Sequence, residues 1–141
     1  MASRMFMLPV HSQPPVLTRH ASIQYTQVTD AGLVHLSDLP KLRWVGLSGT
    51  QVTDTGLVHL QRLPNLQLLV LPRQITDAGL VHLEGLTNLE VLDLQGTQIT
   101  DAGLEHLKGL PNLQKLYLGK NQITNAAVVE LYKALPKLEI Y

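Results

Sequence analysis

Hydrophobic residues recur along the chain in a repeated pattern, in which a short alternating stretch precedes a stretch with aliphatic residues every third position. In the alternating stretch, Val45 and Leu47 are aliphatic. The residues between and around them are Trp44, Gly46 and Ser48. A period of two is typical of a β-strand with one buried face, so this stretch predicts a short strand.

The stretch with a spacing of three predicts a short helix. Leu33, Leu36 and Leu39 would form its buried stripe, and Pro40 would end it. We expect Thr29 or Asp30 to cap the first free N–H groups of this helix, where an acidic side chain also suits the positive end. A helix of about ten residues is marginally stable alone, so each unit must depend on its neighbours.

Both stretches belong to an internal repeat. A motif close to Val-Thr-Asp-Ala-Gly-Leu occurs four times and is followed by a degenerate fifth copy. The five copies begin at Val28, Val52, Ile75, Ile99 and Ile123. The steps between these residues are 24, 23, 24 and 24. A second phrase, of the form Leu-x-x-Leu-x-Leu, lies between the copies and begins at Leu42, Leu66, Leu89 and Leu113. A repeat of this length indicates a solenoid of stacked units.

These two phrases resemble the leucine-rich repeat, L-x-x-L-x-L-x-x-N/C-x-L, over about residues 20–141. The Thr-Asp-Ala-Gly-Leu wording is most similar to the cysteine-containing subclass found in F-box proteins and in bacterial arrays. The resemblance implies an α/β fold of about five repeats, a right-handed solenoid with short parallel strands on the concave face and short helices on the convex face. Because no helical segment precedes the repeats, an F-box role is not carried over.

The sequence departs from the family pattern at the N/C position. Thr26, Thr50, Thr97 and Asn121 occupy it in four units, and a Thr hydroxyl can both donate and accept a hydrogen bond. The third unit has one residue fewer between Leu71 and Ile75 and lacks this residue, so we expect a local irregularity there.

Four glycines fall inside the predicted helices, where each costs about 1 kcal/mol relative to alanine. They are Gly32, Gly56, Gly79 and Gly103. We expect close approach between neighbouring units to exclude a side chain at these positions.

Parallel strands stacked about 4.8 Å apart place equivalent residues in columns on the concave face. The predicted columns are His20-Trp44-Leu68-Val91-Lys115, Ser22-Gly46-Val70-Asp93-Tyr117 and Gln24-Ser48-Pro72-Gln95-Gly119. An aromatic anchor among aliphatic residues with polar neighbours is typical of a binding surface. The candidate partner-binding residues are therefore Trp44, Leu68, Val70, Val91, Asp93, Lys115 and Tyr117. The alternative is that these side chains pack under the N-terminal segment.

Two other ladders have structural explanations. His35, His59, His82 and His106 recur on the convex side, and we interpret them as half-buried polar residues, with metal binding or pH sensing as the alternative. The recurring aspartates of the repeat, Asp30, Asp54, Asp77 and Asp101, are interpreted as helix caps. We expect no cofactor.

Composition narrows the function further. Of 141 residues 29 are Leu, and 11 basic residues balance 11 acidic ones. A neutral chain is not expected to bind nucleic acid or an anionic membrane through bulk charge. There is no cysteine, and no nucleophile elbow, P-loop or zinc-protease motif occurs. His20 and Asp93 would be two or more strands apart, too far for a catalytic relay. We therefore expect a non-enzyme.

The two ends carry separate expectations. Residues 1–20 show no signal-peptide pattern, which predicts a cytoplasmic protein, and this irregular segment can serve as a partial cap on the repeat domain at 21–141. A fragment of a longer protein would look the same. At the other end, residues 138–141 predict a strand with an uncovered edge, and such an edge favours self-association.

Two classes of function remain. One is an interaction module that binds a protein or peptide on its concave face. The other is a structural unit that assembles with copies of itself.

Overall fold

The structure, a computed structural model, describes residues 20–119 and 121–141. The predicted N-terminal segment at 1–20 lies outside this range except for His20, which begins the first strand. Six short parallel strands form one sheet in the order of the sequence, β1 to β6. They span His20–Ser22, Trp44–Gly46, Leu68–Val70, Val91–Asp93, Lys115–Tyr117 and Glu139–Ile140. The predicted strand at residues 138–141 is therefore present as β6.

The strands divide the chain into five coils, each consisting of a strand, a helical segment and a turn. Coils 1 to 5 span residues 20–43, 44–67, 68–90, 91–114 and 115–138. Their helical segments are Asp30–Asp38, Asp54–Arg62, Asp77–Leu80 with Val81–Leu83, Asp101–Leu104 with Glu105–Leu107, and Asn125–Ala134.

Most of these helical segments are 3₁₀ rather than α. Coils 1 and 2 contain nine-residue 3₁₀-helices, and only coil 5 has a continuous α-helix of ten residues. A 3₁₀-helix has three residues per turn, so leucines spaced by three lie on one face. Leu33 and Leu36 accordingly have no exposed surface, and Leu39 packs against the core. The leucine spacing suits the tighter helix but does not fix it, because the helical segments of coils 3 and 4 have the same spacing and begin as α.

The core is one continuous aliphatic cluster that runs through all five coils. Leu47, Leu69, Leu92 and Leu116, on the strands or just after them, are completely buried. Across the coil they meet the helical leucines, such as Leu57 and Leu80. Each buried aliphatic side chain contributes roughly 1.5–3 kcal/mol before conformational entropy is counted, so stacking of coils is the main stabilising interaction.

The recurring aspartates do not cap their own helices. Instead, each carboxylate accepts hydrogen bonds from the threonine of the next coil, one from its backbone N–H and one from its hydroxyl. The backbone bonds join Asp30 to Thr53 (2.6 Å), Asp54 to Thr76 (2.8 Å), Asp77 to Thr100 (2.7 Å) and Asp101 to Thr124 (2.9 Å). The capping interpretation was wrong because a sequence gives no direct sign of which polar groups a neighbouring coil presents. Threonine side chains do cap two helices, those that begin after Thr76 and Thr124. Thr29, the other predicted cap of the first helix, makes no capping hydrogen bond.

The helical glycines make room for these carboxylates. A Cβ added at any of three glycines would collide with the aspartate of the preceding coil, and the pairs are Gly56 with Asp30, Gly79 with Asp54, and Gly103 with Asp77. The expected close approach between units is confirmed at these three positions, whereas a Cβ at Gly32 would meet only Val28 of its own coil. The Thr-Asp-x-Gly motif therefore forms an interlock between coils: the aspartate accepts from the next threonine, and the glycine leaves room for the aspartate of the preceding coil.

The N/C position forms its hydrogen bonds mainly within its own coil. The hydroxyls of Thr26, Thr50 and Thr97 each donate to the carbonyl oxygen three residues earlier, at a distance of 2.7 Å. Asn121 reaches further, because its amide donates to Leu94 O of the previous coil at 2.8 Å. The threonines are buried and fully bonded, so cysteine is not needed here.

Coil 3 shows the expected irregularity, and Gln74 compensates for it. In the other four coils the glutamine before the leading aliphatic residue of the repeat is exposed. In coil 3 the amide of Gln74 instead turns inward and donates to Thr50 O at 2.8 Å and Val52 O at 2.6 Å. These bonds satisfy backbone carbonyls of coil 2 from a turn that has no threonine.

Candidate functional site

The register of the sheet confirms the first two predicted columns of the concave face. His20, Trp44, Leu68, Val91 and Lys115 are consecutive partners, and Glu139 of β6 extends this column. The second column runs through Ser22, Gly46, Val70, Asp93 and Tyr117. The seven candidate residues are thus brought to one face of the sheet.

Trp44 lies on the surface rather than in the core. Its side chain is 48% exposed, and its ring stacks against the imidazole of His20 with centroids 4.2 Å apart. The stack restricts the indole while leaving much of it in contact with solvent. A large side chain that is already restricted loses little conformational entropy when a partner covers it.

The centre of the face is aliphatic and half-buried. Leu68, Val70 and Val91 are each partly accessible beside one another on β3 and β4. Asp93 is the half-buried polar residue next to them, and one of its carboxylate oxygens accepts a hydrogen bond from the backbone N–H of Gln95 at 2.9 Å.

A second aromatic pair lies at the β6 end of the face. The rings of Tyr117 and Tyr141 stack with centroids 5.0 Å apart, and Lys115 is exposed on the neighbouring position of β5. The sequence columns stopped at the fifth unit, so they missed Tyr141. The short β6 strand that follows the repeat was the available signal.

The comparisons with known proteins agree with this architecture. A family model described as leucine-rich repeats in two copies matches residues 87–130. An internalin (inlF) from Listeria monocytogenes is 28% identical over 89% of this chain, with a TM-score of 0.69. A leucine-rich repeat protein from Leptospira interrogans is 26% identical over 92% of the chain, with a TM-score of 0.66. The chain folds as a leucine-rich repeat solenoid.

This leucine-rich repeat solenoid covers only part of the structures that it resembles. It spans 35% of the internalin chain and 34% of the Leptospira chain. A second Listeria internalin (inlC2) is 25% identical over 86% of this chain, which spans 69% of that one, with a TM-score of 0.56. No curated protein matches the chain by sequence. Leucine-rich repeat proteins are generally protein-interaction modules.

Two of the four convex histidines of the solenoid interact with the coil before them. His59, His82 and His106 are half-buried as interpreted, whereas His35 is exposed. His82 Nδ1 lies 3.2 Å from the amide nitrogen of Gln61, and His106 Nδ1 lies 2.6 Å from a carboxylate oxygen of Glu84. Because an ionised carboxylate only accepts, His106 donates in the second pair. Glu105, the acidic neighbour of His106 in sequence, pairs instead with Lys108 at 2.7 Å.

The described ranges show neither a metal cluster nor a membrane span. No group of three or more His, Asp or Glu side chains within residues 20–119 and 121–141 could hold a metal ion. No helix in the same part of the chain is long and apolar enough to cross a membrane. The expectation of a cytoplasmic location stays a prediction.

A cleft of about 470 Å³ adjoins the concave face at the turn of coil 3. Val70 and Asp93 belong both to the cleft and to the predicted face, while Tyr25, Pro72 and Arg73 line the cleft outside the predicted residues. Pro72 belongs to the third predicted column, whereas neither Tyr25 nor Arg73 was among the predicted residues. The missing residue in the third unit marked the place.

Proposed function

We propose that this leucine-rich repeat solenoid is a non-catalytic interaction module that binds a protein or peptide on its concave face. The binding residues are Trp44, Leu68, Val70, Val91, Asp93, Lys115 and Tyr117. The observation that carries the proposal is the exposed indole of Trp44, held by His20 at the edge of an aliphatic patch.

The distribution of chemistry across the face supports this function. Apolar side chains occupy its centre, and the charged Asp93 and Lys115 lie towards the β5 side. Interfaces commonly have such an apolar centre with a polar rim, and tryptophan and tyrosine are enriched among the residues that dominate binding. The charged residues would set the orientation of the partner.

The test replaces Trp44 and compares it with a matched aromatic on another surface. In Trp44→Ala, we expect captured partner to fall about tenfold or more, while the thermal midpoint changes little because the side chain lies outside the core. Tyr132→Ala is the control, since Tyr132 is 38% exposed on the helix of coil 5. Equal capture by wild type and Trp44→Ala would refute the proposal, and so would a large loss of stability in Trp44→Ala.

The second candidate function is self-assembly through the C-terminal edge, and the hydrogen bonds of β6 favour it. Glu139 N and Tyr141 N donate to carbonyls in or directly before β5, and Tyr141 O accepts from the two residues that follow β5. Residue 140 lies between them, so its N–H and C=O point away from β5. A second copy could add a strand along this edge.

The edge itself must be altered without damaging the core. Leu138 is only 4% exposed, so making it polar would unfold the last coil rather than test association. Ile140→Pro removes the outward N–H, and Ile140→Val keeps it as the control. Because Ile140 packs partly against the core, the thermal midpoint of both variants is measured beside their association. If the edge drives assembly, light scattering will show concentration-dependent association in wild type and Ile140→Val only. A monomer at high concentration in wild type would overturn this candidate.

We also infer that the repeats are of the cysteine-containing-like type found in bacterial arrays. The Asp–Thr interlock supports this assignment, because it gives a structural role to the Thr-Asp-Ala-Gly-Leu motif on which the resemblance rests.

A further inference from the structure

The cleft beside Val70 and Asp93 lies at the shortened turn of coil 3. Four residues separate Leu47 from Val52 in coil 2, and four separate Leu94 from Ile99 in coil 4, but only three separate Leu71 from Ile75. The cleft lies over this shorter turn, bounded by residues of the coils on both sides. Its volume of about 470 Å³ is within the range of small-ligand sites.

Two opposite charges line this cleft without pairing to each other. Arg73 is exposed and lies across the backbone of Gly96, with its Nε 3.7 Å from the position that a Cβ would take there. Within the described residues no carboxylate approaches the Arg73 guanidinium to 4.0 Å, and residues 1–19 contain no Asp or Glu. The second oxygen of Asp93 makes no hydrogen bond in the described part of the chain.

Apolar side chains also line the cleft. Of these, Pro72 is buried and Val70 is half-buried. Tyr25 is 78% exposed at the rim, where a Cβ on Gly49 would lie only 3.0 Å from the Tyr25 Cα. This close approach keeps the tyrosine directly against the turn of coil 2.

We propose that the cleft binds the C-terminal residue of a peptide, and this proposal rests on the peptide-binding function of the concave face. Such a residue offers three groups at once: a free carboxylate, a backbone N–H and a side chain. Arg73 would hold the carboxylate through two parallel N–H···O bonds. Asp93 would accept the N–H, and Val70 and Pro72 would contact an aliphatic side chain.

An acidic residue within a peptide is a poorer match. Its carboxylate is on its side chain, so the same side chain cannot reach Arg73 and also cover Val70 and Pro72. A C-terminal leucine satisfies both at the same time. The cleft therefore favours a terminal carboxylate over an internal one.

The test uses short peptides as probes with the whole chain, and follows chemical shifts by NMR. Acetyl-Ala-Ala-Leu with a free carboxylate should shift Ser48, Val70 and Gln95, and its C-terminal amide should bind about tenfold more weakly or worse. Acetyl-Ala-Asp-Ala amide tests an internal carboxylate, and free leucine tests a zwitterion. Comparable affinity of any of these three probes would overturn the proposal, as would no shifts with the free acid at millimolar concentration.

Variants separate this site from the wider face. Arg73→Gln should weaken binding of acetyl-Ala-Ala-Leu about tenfold or more, whereas Arg62→Gln, on the helix of coil 2, should leave it unchanged. Equal effects of the two variants would refute a role for Arg73. The two proposals can fail separately. If acetyl-Ala-Ala-Leu does not bind the cleft but capture of a partner still depends on Trp44, only the proposal for the cleft is refuted.

Discussion

The carboxylate of Asp54 in coil 2 accepts two hydrogen bonds from Thr76 in coil 3, one from its backbone N–H at 2.8 Å and one from its hydroxyl. The two residues lie 22 positions apart in sequence, yet they belong to consecutive copies of the same phrase. The repeated Thr-Asp dipeptide therefore supplies an acceptor, the aspartate, to the next coil and a donor, the threonine, to the previous one. The aspartate of the repeat motif thus serves contact between coils rather than capping of its own helix.

Removing the Asp54 carboxylate should weaken the junction between coils 2 and 3. Asp54→Ala leaves Thr76 without both acceptors, and we expect it to lower the free energy of unfolding by about 1–3 kcal/mol. Asp54→Asn should lose less, because the amide oxygen still accepts from the backbone N–H. Urea denaturation measures both, with Asp38→Ala, an exposed position in coil 1, as the control. A loss in Asp54→Ala no larger than in that control would contradict the interlock.

Alanine in place of Gly79 should destabilise the protein, although alanine favours helices by about 1 kcal/mol. The added Cβ would collide with the Asp54 carboxylate and lie 3.0 Å from Leu57 Cδ1. Gly85→Ala is the matched control, because a Cβ there meets nothing within 4 Å, and it should stabilise the fold by about 0.4–1 kcal/mol. Thermal and urea unfolding should show a lower free energy of unfolding for Gly79→Ala and a higher one for Gly85→Ala than for wild type.

The Gly79 and Asp54 substitutions should also be non-additive. Once the carboxylate is gone, Gly79→Ala has more room, so the double variant should lose less stability than the two single variants together. If the loss in the double variant equals the sum of the two single losses, the Cβ at position 79 does not collide with the Asp54 carboxylate.

Gln74 should matter more for stability than the equivalent glutamines of other coils. Gln74→Ala removes two hydrogen bonds to carbonyls of coil 2, and we expect a loss of about 1–3 kcal/mol. Gln98→Ala changes the equivalent exposed residue of coil 4 and should stay within about 0.5 kcal/mol of wild type. Equal losses in chemical denaturation would show that the short turn does not depend on the inward amide.

Acid should weaken the junction between coils 4 and 5 through Asp101. The backbone N–H of Thr124, and then its hydroxyl, lower the pKa of Asp101 below its ordinary value of 3.8. A group whose folded pKa is depressed stabilises the protein above its unfolded pKa, and this contribution is lost as pH falls through the folded pKa. The loss is therefore expected below about pH 4.

An NMR titration of the Asp101 carboxyl carbon checks this expectation. Thr124→Val removes only the hydroxyl, so the pKa should rise part of the way towards 3.8, because the backbone N–H has the larger effect. A wild-type pKa at or above 3.8, or no response to Thr124→Val, would disagree with the geometry.

The repeat made much of the fold predictable. A copied phrase at a nearly fixed step must place equivalent residues in equivalent positions, so the strands, their register and the buried leucines followed from spacing alone. The three-residue leucine spacing also indicated the helices, although their 3₁₀ character became clear only in the structure. The aspartate assignment failed because a helix cap and an intercoil acceptor look the same in one unit read by itself.

The candidate face was predicted as a set of columns, and the sheet brings those columns together. The cleft was not predicted beyond the irregularity of the third unit. A missing residue gives the place of a distortion, but the contents of the resulting space depend on the coils before and after it. Tyr25 and Arg73 are 48 residues apart and share one cleft.

The sequence by itself determined that the chain is a stack of nearly identical coils with aliphatic interiors, because repetition and hydrophobic spacing are local properties of the chain. Only the tertiary structure decided how each coil recognises the next. Asp54 with Thr76, the glycines that admit the carboxylates, and the inward turn of Gln74 all join groups from different coils. Hydrogen bonds and steric exclusion act over a few ångströms in space, and distance along the chain does not show which residues come that close.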